Sequence, residues 1–130
     1  MKSIDKNIIR TSEAPLPIGP YSQAVKTGNL LFVSGQLPLE PKSGTIVSDS
    51  IEDQADQCMR NLEEILKKSG CSLANVVKTT IYLRKISDFA ALNKVYERFF
   101  SDNYPARAVF EVSGLAGKAN IEIEAIAVCD

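Results

Sequence analysis

One segment near the middle of this chain has the spacing of a long amphipathic helix, and that helix limits how the rest can pack. Ser50 can cap its first turn, and Gly70 can take the left-handed position that follows a last turn. Its apolar residues recur every three or four positions: Ile51, Ala55, Cys58, Met59, Leu62, Ile65 and Leu66. The sequence therefore predicts a helix that begins at Ser50, ends before Gly70 and needs an apolar partner layer.

A second, shorter helix is predicted to begin at Ser87. It should end before Pro105, because proline disfavours helical backbone in the residue before it. Its predicted buried face consists of Phe89, Leu92, Val95, Tyr96 and Phe99. Asn93 lies near the middle of this helix, where asparagine is mildly unfavourable, so a polar task and an ordinary surface position both fit it.

Most of the remaining sequence is typical of strands. The turn Thr27-Gly28-Asn29 separates two short apolar runs and predicts a hairpin. The predicted strands are 24–25, 30–33, 76–83, 107–112 and 121–128, with a short one around Ile8. In the third of them, one face is expected to carry Val77, Thr79, Ile81 and Leu83. This order predicts a single α+β domain over residues 1–130, with about six strands and both helices on one sheet face.

The sheet face away from the helices is expected to remain partly apolar. Val76, Tyr82, Ile126 and Val128 fall opposite the helix-facing residues or among them. A two-layer domain of this size cannot cover both faces of its own sheet, and large exposed apolar patches usually mark interfaces. Self-association is one interpretation, and scattered surface apolar residues are the other.

The composition excludes several kinds of chemistry, because the 130 residues include no histidine. Ser-His-Asp and Cys-His catalysis, zinc sites with histidine ligands and HExxH metalloproteases are therefore ruled out. The 15 Lys and Arg residues nearly balance the 16 Asp and Glu residues, for a formal charge of −1. This balance argues against a basic nucleic-acid surface, although a local patch is still compatible with it.

The cysteines and the ends of the chain indicate a reducing compartment. Cys58, Cys71 and Cys129 form no CxxC pair and are odd in number, so they are interpreted as small buried hydrophobic residues rather than a disulfide framework. The N-terminal segment lacks the apolar run of a signal peptide, and no run of about 18 apolar residues could span a membrane. We therefore expect a cytoplasmic protein with no membrane partner.

Two glycine-containing segments could shape a ligand site. Tyr21 follows Gly19-Pro20, a rigid turn that would aim its ring, although such a ring can also simply pack. Ser34-Gly35-Gln36 ends a strand with a bare backbone position, which permits the close approach of a ligand or another chain. Glycine also ends strands with no such task.

Two charged side chains on strands are the clearest candidates for chemistry. Arg107 begins an otherwise apolar strand, where its planar guanidinium suits a carboxylate, but an arginine reaching out to solvent fits equally well. Glu122 and Glu124 share a face that continues as Ile126 and Val128. Partial burial there would raise the pKa of a carboxyl group towards a range useful for proton transfer, whereas an ordinary half-exposed strand would leave it unchanged.

The ordered set of motifs along the chain resembles the Rid family, the reactive intermediate deaminases also called YjgF-like. The resemblance spans nearly the whole sequence and rests on Ile18-Gly19-Pro20-Tyr21-Ser22-Gln23-Ala24, Ser34-Gly35-Gln36, 75–80, Tyr104-Pro105-Ala106-Arg107 and 121–127. It implies a chorismate-mutase-like α+β fold, a homotrimer with its sheets packed inwards, and ligand sites at the subunit interfaces. It also implies hydrolysis of 2-imino acids to 2-oxo acids and ammonia, with no metal and no organic cofactor.

The same resemblance implies roles for individual residues. Arg107 matches the arginine that binds the substrate carboxylate, and Glu122 matches the acid that positions the attacking water. Tyr21, Ser34 and Asn93 match crevice residues, and Gly35 lies at the backbone beside them. Either Tyr21 or a backbone group would steady the imine nitrogen. Many bacterial members have cysteine where this chain has Val109, so a thiol cannot take part here and its backbone is the expected contact. A second departure is Leu115-Ala116 in place of the usual Leu-Pro.

The spacing of the last two strands suggests how Arg107 and Glu122 are related. A symmetric hairpin centred near Ala116 would place Arg107 opposite Ile126, about four residues or ~13 Å from Glu122. The two side chains would then meet only around a ligand or across two chains, which predicts a site shared between subunits. The alternative functions are a trimeric module that binds small carboxylates or 2-oxo acids and, with less support, RNA cleavage or inhibition of translation.

Overall fold

The computed structural model describes residues 4–130, which form one six-stranded mixed sheet covered on one face by two helices. The strands are β1 (Asn7–Ile9), β2 (Ala24–Thr27), β3 (Leu30–Gln36), β4 (Val76–Leu83), β5 (Ala106–Glu111) and β6 (Ile121–Val128). The helices are α1 (Ile51–Lys68) and α2 (Phe89–Tyr96). The strand order is β1-β2-β3-β6-β4-β5, and all pairs are antiparallel except β4 with β5. The predicted α+β class, element order and hairpin between β2 and β3 are confirmed.

Helix α1 forms as its sequence predicts. The Ser50 hydroxyl accepts a hydrogen bond from the Asp53 N–H at 3.3 Å, and Gly70 has a φ of +81° just after the helix. Six of the seven predicted stripe residues are fully buried and the seventh, Ile51, packs against the core from a half-buried position. The helix is therefore held by caps at both ends and by one apolar face on the sheet.

Helix α2 is shorter than predicted, because a 3₁₀ turn (Glu97–Phe99) replaces its last turn. Leu92, Val95 and Tyr96 are buried as expected. Phe89 is 38% exposed, so its assignment to the buried face is wrong. Its ring lies at the margin of α2, where it contacts a charged side chain of β5 rather than the core.

The face assigned to Val77 is also wrong. The register of β4 against β6 shifts between Val76 and Lys78, so Val76 is buried while Val77 is 47% exposed. Such a bulge inserts one residue and reverses the alternation of the residues before it. From Thr79 onwards the predicted inward face is correct.

The predicted hairpin between the last two strands does not form. Strand β4 lies between β5 and β6, and β5 pairs with it in parallel, with Thr79 opposite Arg107. In this arrangement β6, whose alternate residues are all buried, takes a central position between β3 and β4, while the more polar β5 takes the edge. Burial of the apolar strand outweighs the usual pairing of consecutive strands.

Two of the three cysteines are paired, contrary to the expectation of three separate buried thiols. A disulfide joins Cys71, just after α1, to Cys129, just after β6. Cys58 is fully buried within the core, as predicted. The disulfide fastens the end of the main helix to the end of a central strand, a pairing that an odd number of cysteines does not predict.

Reduction of this disulfide is expected to lower the free energy of unfolding by about 4 kcal/mol, because the bond closes a loop with a sequence separation of 58 residues. The measurement is guanidinium unfolding with and without a phosphine reductant, at one protein concentration. A Cys71→Ala, Cys129→Ala double variant is the control and should not respond to reductant. An unchanged unfolding midpoint in fully reduced wild-type protein would contradict the expectation.

The sheet face opposite the helices, called the open face below, carries large apolar side chains. Leu30, Phe32 and Phe110 are 38%, 43% and 53% exposed there, and Ile126 and Val128 continue the patch on β6. Within residues 4–130, no helix is both long enough and apolar enough to cross a membrane. The predicted apolar character of the open face is therefore correct, except that Val76 faces the helices.

Candidate active site

A groove on the open face brings together four of the residues expected from the sequence. Tyr21, Ser34, Gly35 and Glu122 line a cavity of about 400 Å³. Its remaining lining residues are Ile18, Leu37, Ala116 and Glu124. We call it the acidic groove, because two carboxylates of β6 line it.

The groove depends on a bulge at the end of β3. The register between β3 and β6 shifts between Val33 and Gln36, so Ser34 and Gly35 leave the regular ladder. A Cβ atom on Gly35 would lie 2.7 Å from both Cδ and Oε2 of Glu122. Glycine is thus required here for close approach, but the group that approaches is the Glu122 carboxyl of the same chain rather than a ligand or another chain.

The Glu122 carboxyl occupies a half-buried position beside a second acid. Desolvation by the surrounding protein raises the pKa of Glu122, and the negative charge of Glu124 raises it further. The expected effect of partial burial on a β6 carboxyl is therefore present. A raised pKa lets a carboxyl group accept a proton and return it near neutral pH.

Short contacts fix the other side chains of the groove. The Tyr21 hydroxyl accepts a hydrogen bond from the Ile18 N–H at 3.3 Å, so its ring folds back over the Gly19-Pro20 turn with 47% exposure. The Ser34 hydroxyl donates to the carbonyl oxygen of Ser22. Both hydroxyl oxygens keep a capacity for further hydrogen bonds.

Gly35→Ala is expected to lower the kcat/KM of any reaction that uses the Glu122 carboxyl at least tenfold, while it changes the free energy of unfolding by less than about 1 kcal/mol. The reason is that the flexible Glu122 side chain can swing away from the new methyl group, which spares the fold but loses the carboxyl position. Steady-state kinetics and guanidinium unfolding measure the two effects. Gly114→Ala is the matched control, since a Cβ there meets nothing within 4 Å. Equal losses in both variants would contradict this account.

A second group of candidate residues surrounds Arg107, at the sheet edge on the helix side. The Arg107 guanidinium carbon lies 4.9 Å from the ring centroid of Tyr96 and 5.5 Å from that of Phe89. The Tyr96 hydroxyl lies 2.8 Å from the Thr79 hydroxyl, which fixes that ring against the sheet. Among the described residues Arg107 has no carboxylate within ion-pair distance. We call this group the arginine cluster.

Asn93 and Val109 complete the arginine cluster. Helical spacing puts Asn93 between Phe89 and Tyr96 on one face of α2, and its Oδ1 atom is buried with no hydrogen-bond partner in residues 4–130. Buried polar atoms are normally paired, so this unpaired acceptor stands out, and a movement of the side chain would let a donor from outside the chain reach it. Val109 lies two residues beyond Arg107 on β5 and packs against the core.

The acidic groove and the arginine cluster lie on opposite faces of the sheet. Arg107 pairs in register with buried Thr79 and reaches the helices, whereas Glu122 pairs with Tyr82 and projects from the open face. The hairpin register that we expected is wrong, since β4 separates the two strands. Within one chain, however, the two charged groups are apart, as that register also implied.

Three further side chains support these groups, although their sequence positions predicted no such task. Phe89 and Tyr96 hold the Arg107 guanidinium, and the Tyr82 hydroxyl donates a 2.7 Å hydrogen bond to Glu124 Oε1. A parallel pairing of β4 with β5 was needed to connect Arg107 with α2, and no local pattern signals that pairing.

Across residues 4–130, no three His, Cys, Asp or Glu side chains are grouped so that they could hold a metal ion.

Comparison with known proteins finds relatives that share nearly all of this chain. The model of the family described as Endoribonuclease L-PSP matches residues 11–129. A RutC family protein of Pyrococcus horikoshii is 51% identical over 122 residues, covering 94% of this chain and 97% of that protein. The human 2-iminobutanoate/2-iminopropanoate deaminase is 44% identical over 128 residues, covering 98% of this chain and 93% of that one.

Solved structures agree with these sequence relatives. RidA from an Antarctic Psychrobacter species superposes with a TM-score of 0.91 at 40% identity, covering 94% of this chain and 98% of that one. TdcF of E. coli with bound serine superposes with a TM-score of 0.92 at 40% identity, covering 96% of this chain and 100% of that one. Because the family model, the sequence relatives and the structures all match almost the full length, this chain belongs to the Rid, or YjgF-like, family.

Proposed function

We propose that this protein hydrolyses 2-imino acids to 2-oxo acids and ammonia, as the names of its mammalian relatives indicate for them. 2-Iminopropanoate and 2-iminobutanoate, with their enamine tautomers, are the expected substrates. The observation that carries the proposal is the Arg107 guanidinium, which aromatic rings hold and which has no carboxylate partner among the described residues. A cation fixed in this way is available for the carboxylate of a small acid.

Arg107 would hold the substrate carboxylate through two parallel hydrogen bonds. Bidentate binding fixes the plane of the carboxylate and therefore the position of the adjacent imine carbon. The unpaired Oδ1 of Asn93 would accept a hydrogen bond from the imine N–H, and a backbone group of Val109, on the same strand as Arg107, would make a third contact. Three contacts would orient a substrate of only a few atoms.

Glu122 would move the protons of the reaction. Its carboxylate accepts a proton from water as the water oxygen bonds to the imine carbon and the C=N electron pair moves to nitrogen. The resulting carboxylic acid returns that proton to nitrogen, which gives a carbinolamine. The hydroxyl proton then passes to nitrogen, the C–N bond breaks and ammonia leaves with the electron pair. The two protons of water thus convert the imine N–H into ammonia.

Tyr21, Ser34 and Gly35 would shape the space around Glu122. The Tyr21 and Ser34 hydroxyls can donate to the carbinolamine oxygen or steady the nitrogen, since each keeps hydrogen-bonding capacity. Gly35 leaves the space that the Glu122 carboxyl occupies. No histidine is needed in this scheme, and the reaction requires neither a metal nor an organic cofactor.

We further propose a homotrimer in which the acidic groove of one subunit faces the arginine cluster of the next. Each group is incomplete on its own chain, because β4 and the thickness of the sheet separate Arg107 from Glu122. The apolar open face beside the groove gives neighbouring subunits a surface to bury. A ring of three such contacts closes and forms three equivalent sites.

A coupled assay tests this function directly. An amino acid oxidase or a dehydratase generates the imine in the cuvette, and semicarbazide traps what has not yet been hydrolysed. The protein is expected to reduce semicarbazone formation in proportion to its concentration, with ammonia released one for one with 2-oxo acid. Unchanged semicarbazone formation with folded, trimeric protein would rule the function out.

A module that binds small carboxylates without turnover is the second candidate, because the E. coli relative TdcF has been solved with bound serine. The binding-module hypothesis predicts saturable binding of 2-oxo acids together with no imine hydrolysis.

RNA cleavage, which the family description suggests, has less support in a chain of net charge −1 with no histidine. Salt-dependent RNA retention by the same preparation tests it. A cytoplasmic location stays part of the proposal and now depends on the N-terminal sequence alone, because the Cys71–Cys129 disulfide removes the cysteine argument for a reducing compartment. Cell fractionation tests it.

A further inference from the structure

The acidic groove contains a second carboxylate, Glu124, to which the proposed mechanism gives no task. Glu122 and Glu124 project from the same face of β6, two residues or about 7 Å apart along the strand, and both line the groove. The Tyr82 hydroxyl on the neighbouring strand donates to Glu124 Oε1 at 2.7 Å. Tyr82 also stands directly opposite Glu122 in the β4–β6 register.

We propose that Glu124, anchored by the Tyr82 hydroxyl, is a positioning residue that acts on the reaction through the Glu122 carboxyl. This inference rests on the proposed imine hydrolysis. A carboxylate held in one place by a phenol keeps its negative charge at a fixed distance from Glu122, whereas a free side chain would turn towards solvent. Like charges at short range favour the protonated form of one partner.

Within one chain, the surroundings leave this repulsion largely uncompensated at Glu122. In the proposed trimer the Arg107 guanidinium of the next subunit would also face the groove, and its positive charge would oppose the repulsion without removing the contribution of Glu124. Lys6 and Lys78 line a neighbouring cavity with Glu124 but do not line the acidic groove, and the Lys78 ammonium donates to a threonine hydroxyl of its own strand. Beneath β6, Cys58 of α1 is fully buried, and burial raises the pKa of its thiol, which stays neutral.

The remaining neighbours of Glu122 also supply no cation. From β4, Tyr82 faces the pair, and the Glu124 hydrogen bond raises the pKa of its phenol, which stays protonated and donating. From the turn before β2, Tyr21 supplies a phenol. From β3, Ser34 and Gly35 supply no titratable group. The charge that Glu122 experiences within its own chain is therefore mainly that of Glu124.

The consequence is that the Glu122 carboxyl can hold one proton between its removal from water and its transfer to nitrogen. A carboxyl with an ordinary pKa gives up its proton readily but rarely holds one near neutrality. Repulsion from Glu124 makes the Glu122 acid form easier to reach, so the proton taken from water is held until nitrogen receives it. Tyr82 keeps the repelling charge in place.

The test compares Glu124→Gln and Tyr82→Phe with wild type in the pH dependence of kcat/KM, which reports ionisations of the free enzyme. Glutamine keeps an acceptor for the Tyr82 hydroxyl and removes only the charge, so the acid limb is expected to move to lower pH. Phenylalanine keeps the charge and removes its anchor, so the shift should have the same direction and a smaller size. Glu64→Gln on α1, across the sheet, is the matched control and should leave the limb where it is.

A second readout separates this inference from the proposed function. In protein labelled with ¹³C at glutamate carboxyls, the Glu122 resonance is assigned by its loss in Glu122→Gln and is titrated in each variant. A downward move of its midpoint in Glu124→Gln supports the coupling even if the wild type hydrolyses no imine, in which case only the function fails. An active wild type whose Glu122 titration and acid limb are unchanged in Glu124→Gln overturns the inference.

Discussion

Arg107→Ala is expected to lower kcat/KM for 2-imino acids by about 10²–10⁴-fold and to leave the fold intact. The loss corresponds to about 2.7–5.5 kcal/mol, the range for removing one partner of a desolvated, charge-assisted contact. Stability should change little, since Arg107 is half-exposed and makes no ion pair among the described residues. The semicarbazide-trapping assay and thermal unfolding measure the two effects.

Arg107→Lys distinguishes the geometry of this group from its charge. Lysine keeps the positive charge but cannot form two parallel hydrogen bonds to one carboxylate, nor stack as a plane on the Tyr96 ring. Its activity should lie well below wild type and above alanine, and added guanidinium ion should partly restore the alanine variant. Near-normal turnover by Arg107→Ala would remove the carboxylate anchor and, with it, the proposed substrate class.

Much of the fold follows from local sequence patterns, because those patterns describe short-range physics. The caps and apolar stripe of α1 depend on residues within one helix, and the turn at Gly28, which has a φ of +58°, depends on its own backbone. The alternation of Glu122 and Glu124 with buried isoleucines likewise follows from the pleat of one strand. Such features need no knowledge of distant residues.

Features that depend on distant partners could not be obtained in this way. The parallel pairing of β5 with β4 places Arg107 beneath α2, and it arises from competition between strands for central positions in the sheet. The Cys71–Cys129 pair joins residues whose proximity appears only after the sheet has formed. The bulge that exposes Val77 depends on the register of β4 against β6. Each of these results from a choice among pairings of similar local energy.

The site residues show the same division. Residue type identified Tyr21, Glu122 and Arg107 as candidates, and the structure brings Tyr21 and Glu122 into one groove. It leaves Arg107 on the other face of the sheet, about two strand spacings or ~10 Å away laterally. The type of each residue can be read from the sequence, whereas the sheet face on which its side chain lies depends on the topology.

Subunit mixing gives the second large expected effect. Arg107→Ala and Glu122→Gln trimers, each nearly inactive, are expected to recover roughly a quarter of wild-type activity after equal amounts are dissociated and reassembled together. In a closed ring of three, random mixing makes about three quarters of the trimers hybrid. Each hybrid has one interface at which an intact arginine cluster meets an intact acidic groove.

The control mixture combines two variants with damage in the same group of residues. Glu122→Gln and Gly35→Ala both impair the acidic groove, so no interface in their hybrids is intact and no activity should return. Native mass spectrometry verifies that hybrids have formed in both mixtures. Inactive hybrids of Arg107→Ala with Glu122→Gln would mean that one chain brings both groups to its own substrate. The separation of Arg107 and Glu122 across the sheet makes that outcome incompatible with the fold described above, because β4 would have to leave its place between them.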